Sequence, residues 1–282
     1  MKIARTVGEL QSLVSEARAA GKSVGLVPTM GALHAGHKSL VDRSVAENDF
    51  TVVSVFVNPT QFNNQEDLVK YPRTEDADVA MLEEAGVDVA FIPTAQEVYG
   101  DEPDTRVFDL GPVAEVMEGA MRPGHFNGVA QIVSRLFLWT MPDKAYFGEK
   151  DFQQIAVIRR MADIEGFDSI EIVACPIVRE ADGLALSSRN VRLTPEMRKA
   201  APAIHRVLDD SKRMKASGKS VADVIEAVTK SINAVEGLEV EYYSIVDPIS
   251  MQPVSSWDET SHPVGCITVY AGDVRLIDNI AY

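Results

Sequence analysis

Two histidines three residues apart, His34 and His37, close the stretch Val27-Pro28-Thr29-Met30-Gly31-Ala32-Leu33-His34-Ala35-Gly36-His37. At i and i+3 they share one helix face. The start of a helix offers unpaired backbone N–H groups and a positive dipole end, a ready site for a phosphate. Gly31 lets the chain turn tightly, and Gly36 leaves room for a ligand to approach the backbone. A zinc site would need more than this, because His-x-x-His with no nearby Cys or third His is a poor ligand set. Two capped core histidines are the plainer alternative, and the Gly turn ahead of them argues for a nucleotide phosphate instead.

Three other stretches carry groups suited to the same chemistry. In Val57-Asn58-Pro59-Thr60-Gln61-Phe62 the neutral amide of Gln61 can donate to and accept from a substrate carboxylate or hydroxyl; a turn with solvated amides is the plainer reading. In Phe147-Gly148-Glu149-Lys150-Asp151-Phe152-Gln153-Gln154, Lys150 offers a point charge for phosphate, Asp151 a helix cap, and Gln154 a further amide. The alternative there is a surface charge cluster. Leu186-Ser187-Ser188-Arg189-Asn190 offers two hydroxyls and a guanidinium that can clamp a triphosphate, or it is a polar loop at a domain boundary. Glu75, Asp76 and Asp78 stand at a helix start, where they complement the dipole; each could also reach a magnesium ion through water. Arg122-Pro123-Gly124-His125-Phe126 reads as a turn with a cation at each end, and Trp139 and Trp257 as packing residues.

The elements that must position these groups alternate in kind. A capping box at Thr6–Glu9 opens a helix that stops at Gly21. Strands follow at Val24–Val27, Phe50–Val57, Val87–Ile92, Lys144–Phe147 and Ile170–Val173. Helices lie between them: one carries the histidines and runs to Asn48, one spans Glu75 to Ala85, and one spans Phe152 to Gly166. Such alternation predicts a parallel, doubly wound α/β sheet with crossovers on both faces. Ligands sit beyond the carboxyl ends of strands in these sheets, so the loops after Val27, Val57, Phe147 and Val178 are expected on one rim. Past Asn190 the order changes. A helix begins at Thr194-Pro195, a second covers Ser220 to Val235, and strands follow at Glu239–Val246, Cys266–Tyr270 and Val274–Ile277. That pattern predicts a smaller α+β unit able to close over the first.

The 282 residues carry a net charge of -15, with 46% hydrophobic and 24% charged residues. A polyanion is repelled by such a surface, so nucleic acid is not an expected partner, whereas ATP needs only a local positive pocket. No apolar run reaches membrane-span length, no signal-peptide core follows Met1, and two cysteines make no disulfide framework. A cytoplasmic protein with no membrane partner is the expectation.

Taken together, Pro28–His37, Val57–Phe62, Tyr71–Thr74, Arg122–Gly128, Phe147–Gln154 and Leu184–Asn190 resemble the motifs of the pantothenate synthetase (pantoate–β-alanine ligase) family, in the family's order and across nearly the whole chain. The resemblance implies a Rossmann-like domain of the class I nucleotidyltransferase type over residues 1–187, binding ATP and pantoate. It also implies a smaller, mobile α+β domain over 188–282 and a homodimer. The implied reaction is a two-step ligation. ATP and (R)-pantoate give pantoyl-adenylate and pyrophosphate, and β-alanine then attacks the acyl carbon to release pantothenate and AMP. Carried onto this chain, Met30-Gly31-Ala32-Leu33-His34-Ala35-Gly36-His37, Gly148-Glu149-Lys150-Asp151, Val178 and Leu186-Ser187-Ser188-Arg189 line the ATP site. Met30, Gln61 and Gln154 hold the organic substrate. Catalytic roles fall to His34, His37, Lys150 and Arg189, with His37 the implied general acid. Mg2+ accompanies ATP in the family; the candidate ligand on this chain, taken from the acidic helix start and not from the resemblance, is Asp78. The histidine and Ser-Ser-Arg motifs also look like relatives of the two signatures of class I aminoacyl-tRNA synthetases. A nucleotidyltransferase of the same fold, whose product keeps the nucleotide, is the competing enzyme; a nucleotide-sensing protein without turnover is the competing non-enzyme.

Overall fold

The computed structural model describes residues 1–101 and 104–282, which fall into two compact units. The first takes Met1–Leu110, Arg122–Glu149 and Val157–Pro176; the second takes Gly111–Met121, Lys150–Ala156 and Ile177–Tyr282. In chain order the elements are β1 (Lys2–Ala4), α1 (Val7–Ala19), β2 (Val24–Thr29), α2 (Ala35–Glu47), β3 (Phe50–Val55), α3 (Gln65–Lys70), α4 (Glu75–Glu84), β4 (Val89–Phe91) and α5 (Ala95–Tyr99). There follow α6 (Glu118–Met121), α7 (His125–Thr140), β5 (Lys144–Gly148), α8 (Phe152–Glu165) and β6 (Glu171–Cys175). The carboxy-terminal part holds α9 (Pro195–Ala200), α10 (Ala203–Ala216), α11 (Val221–Asn233), β7 (Leu238–Val246), β8 (Val264–Ala271) and β9 (Val274–Ala281).

In the first unit six parallel strands lie in the order β1-β4-β3-β2-β5-β6. β2 and β3 are apolar and buried along almost their whole length because helices cover both faces. The register sets Val27 beside Val53 and Val53 beside Ala90, and these pack with Leu40 and Val41 of α2 and Leu82 of α4. Leu26, Val52 and Val89, one residue earlier on each strand, are fully buried toward the other face, where α1 and α7 lie. The strand order reverses between β2 and β5, which is the switch point of the sheet. The predicted doubly wound α/β sheet is therefore the observed one. Two elements lie outside the expectation. β1 is a three-residue edge strand, and α7 is a 16-residue helix whose polar stripe, Asn127, Gln131 and Arg135, is bonded to Asp104 and Arg106 instead of facing water.

The second unit contains an antiparallel meander, β7-β8-β9. Leu208 of α10, with Val224, Val228 and Ile232 of α11, packs with Ile245, Ile267, Val269 and Leu276 in its core. A second cluster joins Val113, Val116, Met117, Phe152 and Ala156 to Tyr242, Val246, Val264 and Cys266. The helix expected from Thr194 is in fact two: α9 ends at Ala200 and α10 begins after Pro202, whose ring and missing N–H interrupt a helix interior. The capping box expected at Thr6–Glu9 forms, and Ser220–Asp223, outside that expectation, makes another. Among the described residues no helix is long and apolar enough to cross a membrane.

Candidate active site

The histidines stand where β2 hands over to α2, at the carboxyl end of a switch-point strand. His34 is the N-cap of α2, and its Nδ1 accepts from the Gly36 N–H at 3.1 Å. An imidazolium has no acceptor nitrogen, so this cap requires the neutral ring with its proton on Nε2. His34 therefore presents a neutral N–H donor rather than a charge. The His37 ring lies beside it, centroid to centroid at 4.1 Å with an interplanar angle of 37°. Gly31 and Ala32 ahead of them are both left-handed, with φ of +76° and +49°. Asp78 of α4, 2% exposed, fixes this turn: Oδ2 accepts from the Ala32 N–H at 2.9 Å and Oδ1 from the Leu33 N–H at 2.8 Å. The Thr74 hydroxyl adds a bond to Oδ1 at 3.1 Å. Asp78 is thus occupied as a loop anchor, and among the described residues no three His, Cys, Asp or Glu side chains are grouped as a metal site. Of its acidic neighbours, Glu75 pairs with Arg5.

Gln61 lies in a short turn after β3 and is 8% exposed. Its amide has a fixed orientation. Asn58 Nδ2 donates to the Gly128 carbonyl at 3.0 Å, and a carbonyl can only accept, so the same nitrogen must donate to Gln61 Oε1 at 3.1 Å. The Tyr99 hydroxyl completes the arrangement by donating to Asn58 Oδ1 at 2.6 Å. Gln61 Nε2 then points at the Met30 sulfur, 3.0 Å away, which joins the two predicted stretches within the first unit. The solvated-amide reading does not survive, because Asn58 and Gln61 are both buried. His125 is likewise no exposed cation. It is 7% exposed, its Nδ1 donates to the Gln61 carbonyl at 2.8 Å, and its Nε2 faces the donor-only guanidinium of Arg122 at 3.3 Å, so the ring is neutral. Gly148 ends β5, the other switch-point strand, and Glu149 opens the short turn after it.

Within the second unit, Val178 and Leu186 are brought together. The Leu186 N–H donates to the Val178 carbonyl at 3.0 Å, and Arg179 bridges Ala185 in a tight hairpin turned by Gly183 at φ +93°. Beyond it the Ser187 hydroxyl accepts from the Arg189 N–H at 3.2 Å, setting the Ser187-Ser188-Arg189 turn. Two neighbours on β9 organise this edge. Asp278 takes both arms of the Arg179 guanidinium at 2.7 and 2.8 Å, and Asn279 donates to the Lys150 carbonyl at 3.2 Å. Lys150 Nζ lies 3.2 Å from Asp151. Burial pushes the Asp151 carboxyl up, but Lys150 and then Arg189 outweigh it and hold the group below its ordinary range. Gln153 is buried, donates to the carbonyls of Val113 and Val116 and accepts from the Glu118 N–H, whereas its neighbour Gln154, a helical step round, is half-buried. Sequence reasoning missed Asp278, Asn279 and Tyr99. The adjacent Asp-Asn following the apolar pair Leu276-Ile277 in β9 was the only available signal for the first two; Tyr99 had none.

The first unit has the build of an α/β nucleotide-binding enzyme: a doubly wound sheet with a histidine-bearing helix start at its switch point. A family model described as pantoate-beta-alanine ligase matches residues 2–281. A pantothenate synthetase from Porphyromonas gingivalis is 61% identical over 282 residues, covering 100% of this chain and 99% of the relative. A solved pantothenate synthetase from Thermus thermophilus is 46% identical, with a TM-score of 0.93 and 99% of each chain covered. A pantoate-beta-alanine ligase from Francisella tularensis, complexed with beta-gamma ATP and beta-alanine, is 35% identical, with a TM-score of 0.84 over 99% of this chain and 97% of that one. The chain belongs to the pantoate–β-alanine ligase family.

Proposed function

We propose that the protein joins (R)-pantoate to β-alanine in two steps. A pantoate carboxylate oxygen attacks the α-phosphorus of ATP, the bond to the β-phosphate oxygen breaks, and pyrophosphate leaves. The β-alanine amine then attacks the acyl carbon of the pantoyl-adenylate, AMP leaves and the amine loses a proton. The observation that carries this reading is the His34–His37 pair at the first turn of α2, beside the switch point, in a chain matched by the family model from residue 2 to 281.

No protein nucleophile is required, so catalysis rests on alignment and on stabilising charge at the phosphates. We assign Met30–His37, Gly148–Asp151, Val178 and Leu186–Arg189 to ATP. In this assignment His34 donates its Nε2 proton to a phosphate oxygen as a neutral group. Lys150 and Arg189 supply permanent charge, and His37 gives a second donor. Gln61, with its oxygen engaged by Asn58, meets pantoate through its NH2 group; Met30 and Gln154 flank the organic substrate. Mg2+ travels with the triphosphate, which supplies oxygen ligands that the described residues do not group together. A homodimer in the cytoplasm completes the reading.

Losing one donor aimed at developing charge costs about 3–4 kcal/mol, or roughly 10²–10³ in rate. Lys150→Ala and His34→Ala should each lower pantoate-dependent exchange of labelled pyrophosphate into ATP by that order while the fold stays intact, His34→Ala losing only the roughly 1 kcal/mol of a helix cap. Near-parent exchange in both would overturn the ATP assignment. AMP release only when β-alanine is added identifies the ligase; a product that retains the nucleotide identifies a nucleotidyltransferase.

A further inference from the structure

We propose that Asp78 is a positioning residue for adenylate formation, acting through the backbone of the loop that carries His34 and His37 and not as a metal ligand. The inference rests on the assignment of those histidines to ATP. Gly31 and Ala32 are consecutive left-handed residues, and Ala32 holds a conformation that residues with a Cβ rarely adopt. Something outside the loop must hold it, and the Asp78 carboxylate does so by meeting two successive N–H groups, one on each oxygen. Bonds from N–H to an ionised acceptor are the strong kind.

The clamp is itself anchored. Asp78 lies one helical turn from Leu82, which is fully buried beneath α2 and β3. The loop also leaves no slack against it: a Cβ added to Gly31 would lie 3.0 Å from Asp78 Oδ2 and 3.1 Å from Val55 Cγ1. The core therefore fixes α4, α4 fixes the carboxylate, and the carboxylate fixes Ala32 and Leu33. His34 follows directly as the cap of α2. A carboxylate committed in this way differs from one that binds a cation through water, which would need an oxygen turned to solvent.

Asp78→Asn keeps the size but turns one acceptor into a donor facing an N–H group. Pyrophosphate exchange, thermal melting and amide hydrogen exchange at Ala32 and Leu33 are measured beside His34→Ala. The expected result is a loss of about 10²-fold in the saturated exchange rate, the order that a 1 Å misplacement produces. Faster amide exchange at both positions accompanies it, and added Mg2+ or Mn2+ restores nothing. An exchange rate near the parent's, or recovery at high metal concentration, overturns the proposal. Full activity in His34→Ala would instead sink the ATP assignment on which it rests. If Asp78→Asn does not fold, Gly31→Ala presses on the same clamp from the loop side. Its Leu33 amide must then exchange faster, and unchanged exchange overturns the proposal.

Discussion

Removing Asp278 should unfasten the hairpin that carries Val178 and Leu186. The carboxylate is 5% exposed and makes three bonds, to both arms of Arg179 at 2.7 and 2.8 Å and to the Asn279 N–H at 2.7 Å. Breaking a buried pair by deleting one partner costs about 3–5 kcal/mol, because the other charge is left without its counter-ion. Arg179 is 18% exposed and keeps a bond to the Gly183 carbonyl at 3.2 Å, so Asp278→Ala belongs at the lower end. At about 3 kcal/mol, and about 3–5 °C per kcal/mol for a unit of this size, melting should fall by about 10 °C. Calorimetric melting of Asp278→Ala, Arg179→Ala and the double variant checks this. The double variant should be no less stable than Asp278→Ala alone, because the uncompensated charge is gone. Below the melting transition, the Ser187–Arg189 turn loses its neighbouring anchor, and the half-saturating ATP concentration in pyrophosphate exchange should rise. Additive losses in the double variant, or a fall of less than about 2 °C in Asp278→Ala, would refute the reasoning.

Two further expectations concern the first unit. Gln61→Ala should weaken pantoate binding more than ATP binding by calorimetry. Gly128→Ala should do the same with a loss of stability, since its Cβ would fall 2.3 Å from the Thr60 carbonyl oxygen and 2.6 Å from the Gln61 nitrogen; equal losses for both ligands would contradict the placement. Acid stability provides a third. The bond from Arg43, then that from Lys144, lowers the Glu47 carboxyl from its ordinary 4.5 to about 2. A lowered folded-state value stabilises the protein above the ordinary one, and that contribution fades as pH falls from 4.5 to about 2. Urea midpoints of Glu47→Gln should vary less with pH across that window than the parent's, and parallel profiles would count against the cluster.

The chain itself determined the kind of protein. Val24, Leu26 and Val27 before the histidines, and the continuous apolar run from Phe50, made β2 and β3 legible, because a strand covered on both faces has no polar alternation. The histidines at i and i+3 behind a glycine turn marked a helix start without any contact being known. Sequence reasoning missed α7 although its period is present, with Asn127, Gln131, Ser134 and Arg135 at i, i+4, i+7 and i+8; that Asp104 and Arg106 cover this stripe is visible only in the packed chain. The break at Pro202 was present in the sequence, but a proline can begin a helix as readily as end one.

What only tertiary structure decided is which atoms are spoken for. Nothing in the order of residues says that Asp78 meets Ala32 and Leu33 across 46 and 45 positions, that Asn58 fixes the Gln61 amide through Gly128, or that Arg179 closes on Asp278. Residue type supplies a list of possible donors and acceptors. A buried polar group must find partners wherever the packed chain places them, so its role is settled only by folding. His34 shows the difference most plainly. By type it could carry a charge, and its bond from the Gly36 N–H makes it a neutral donor.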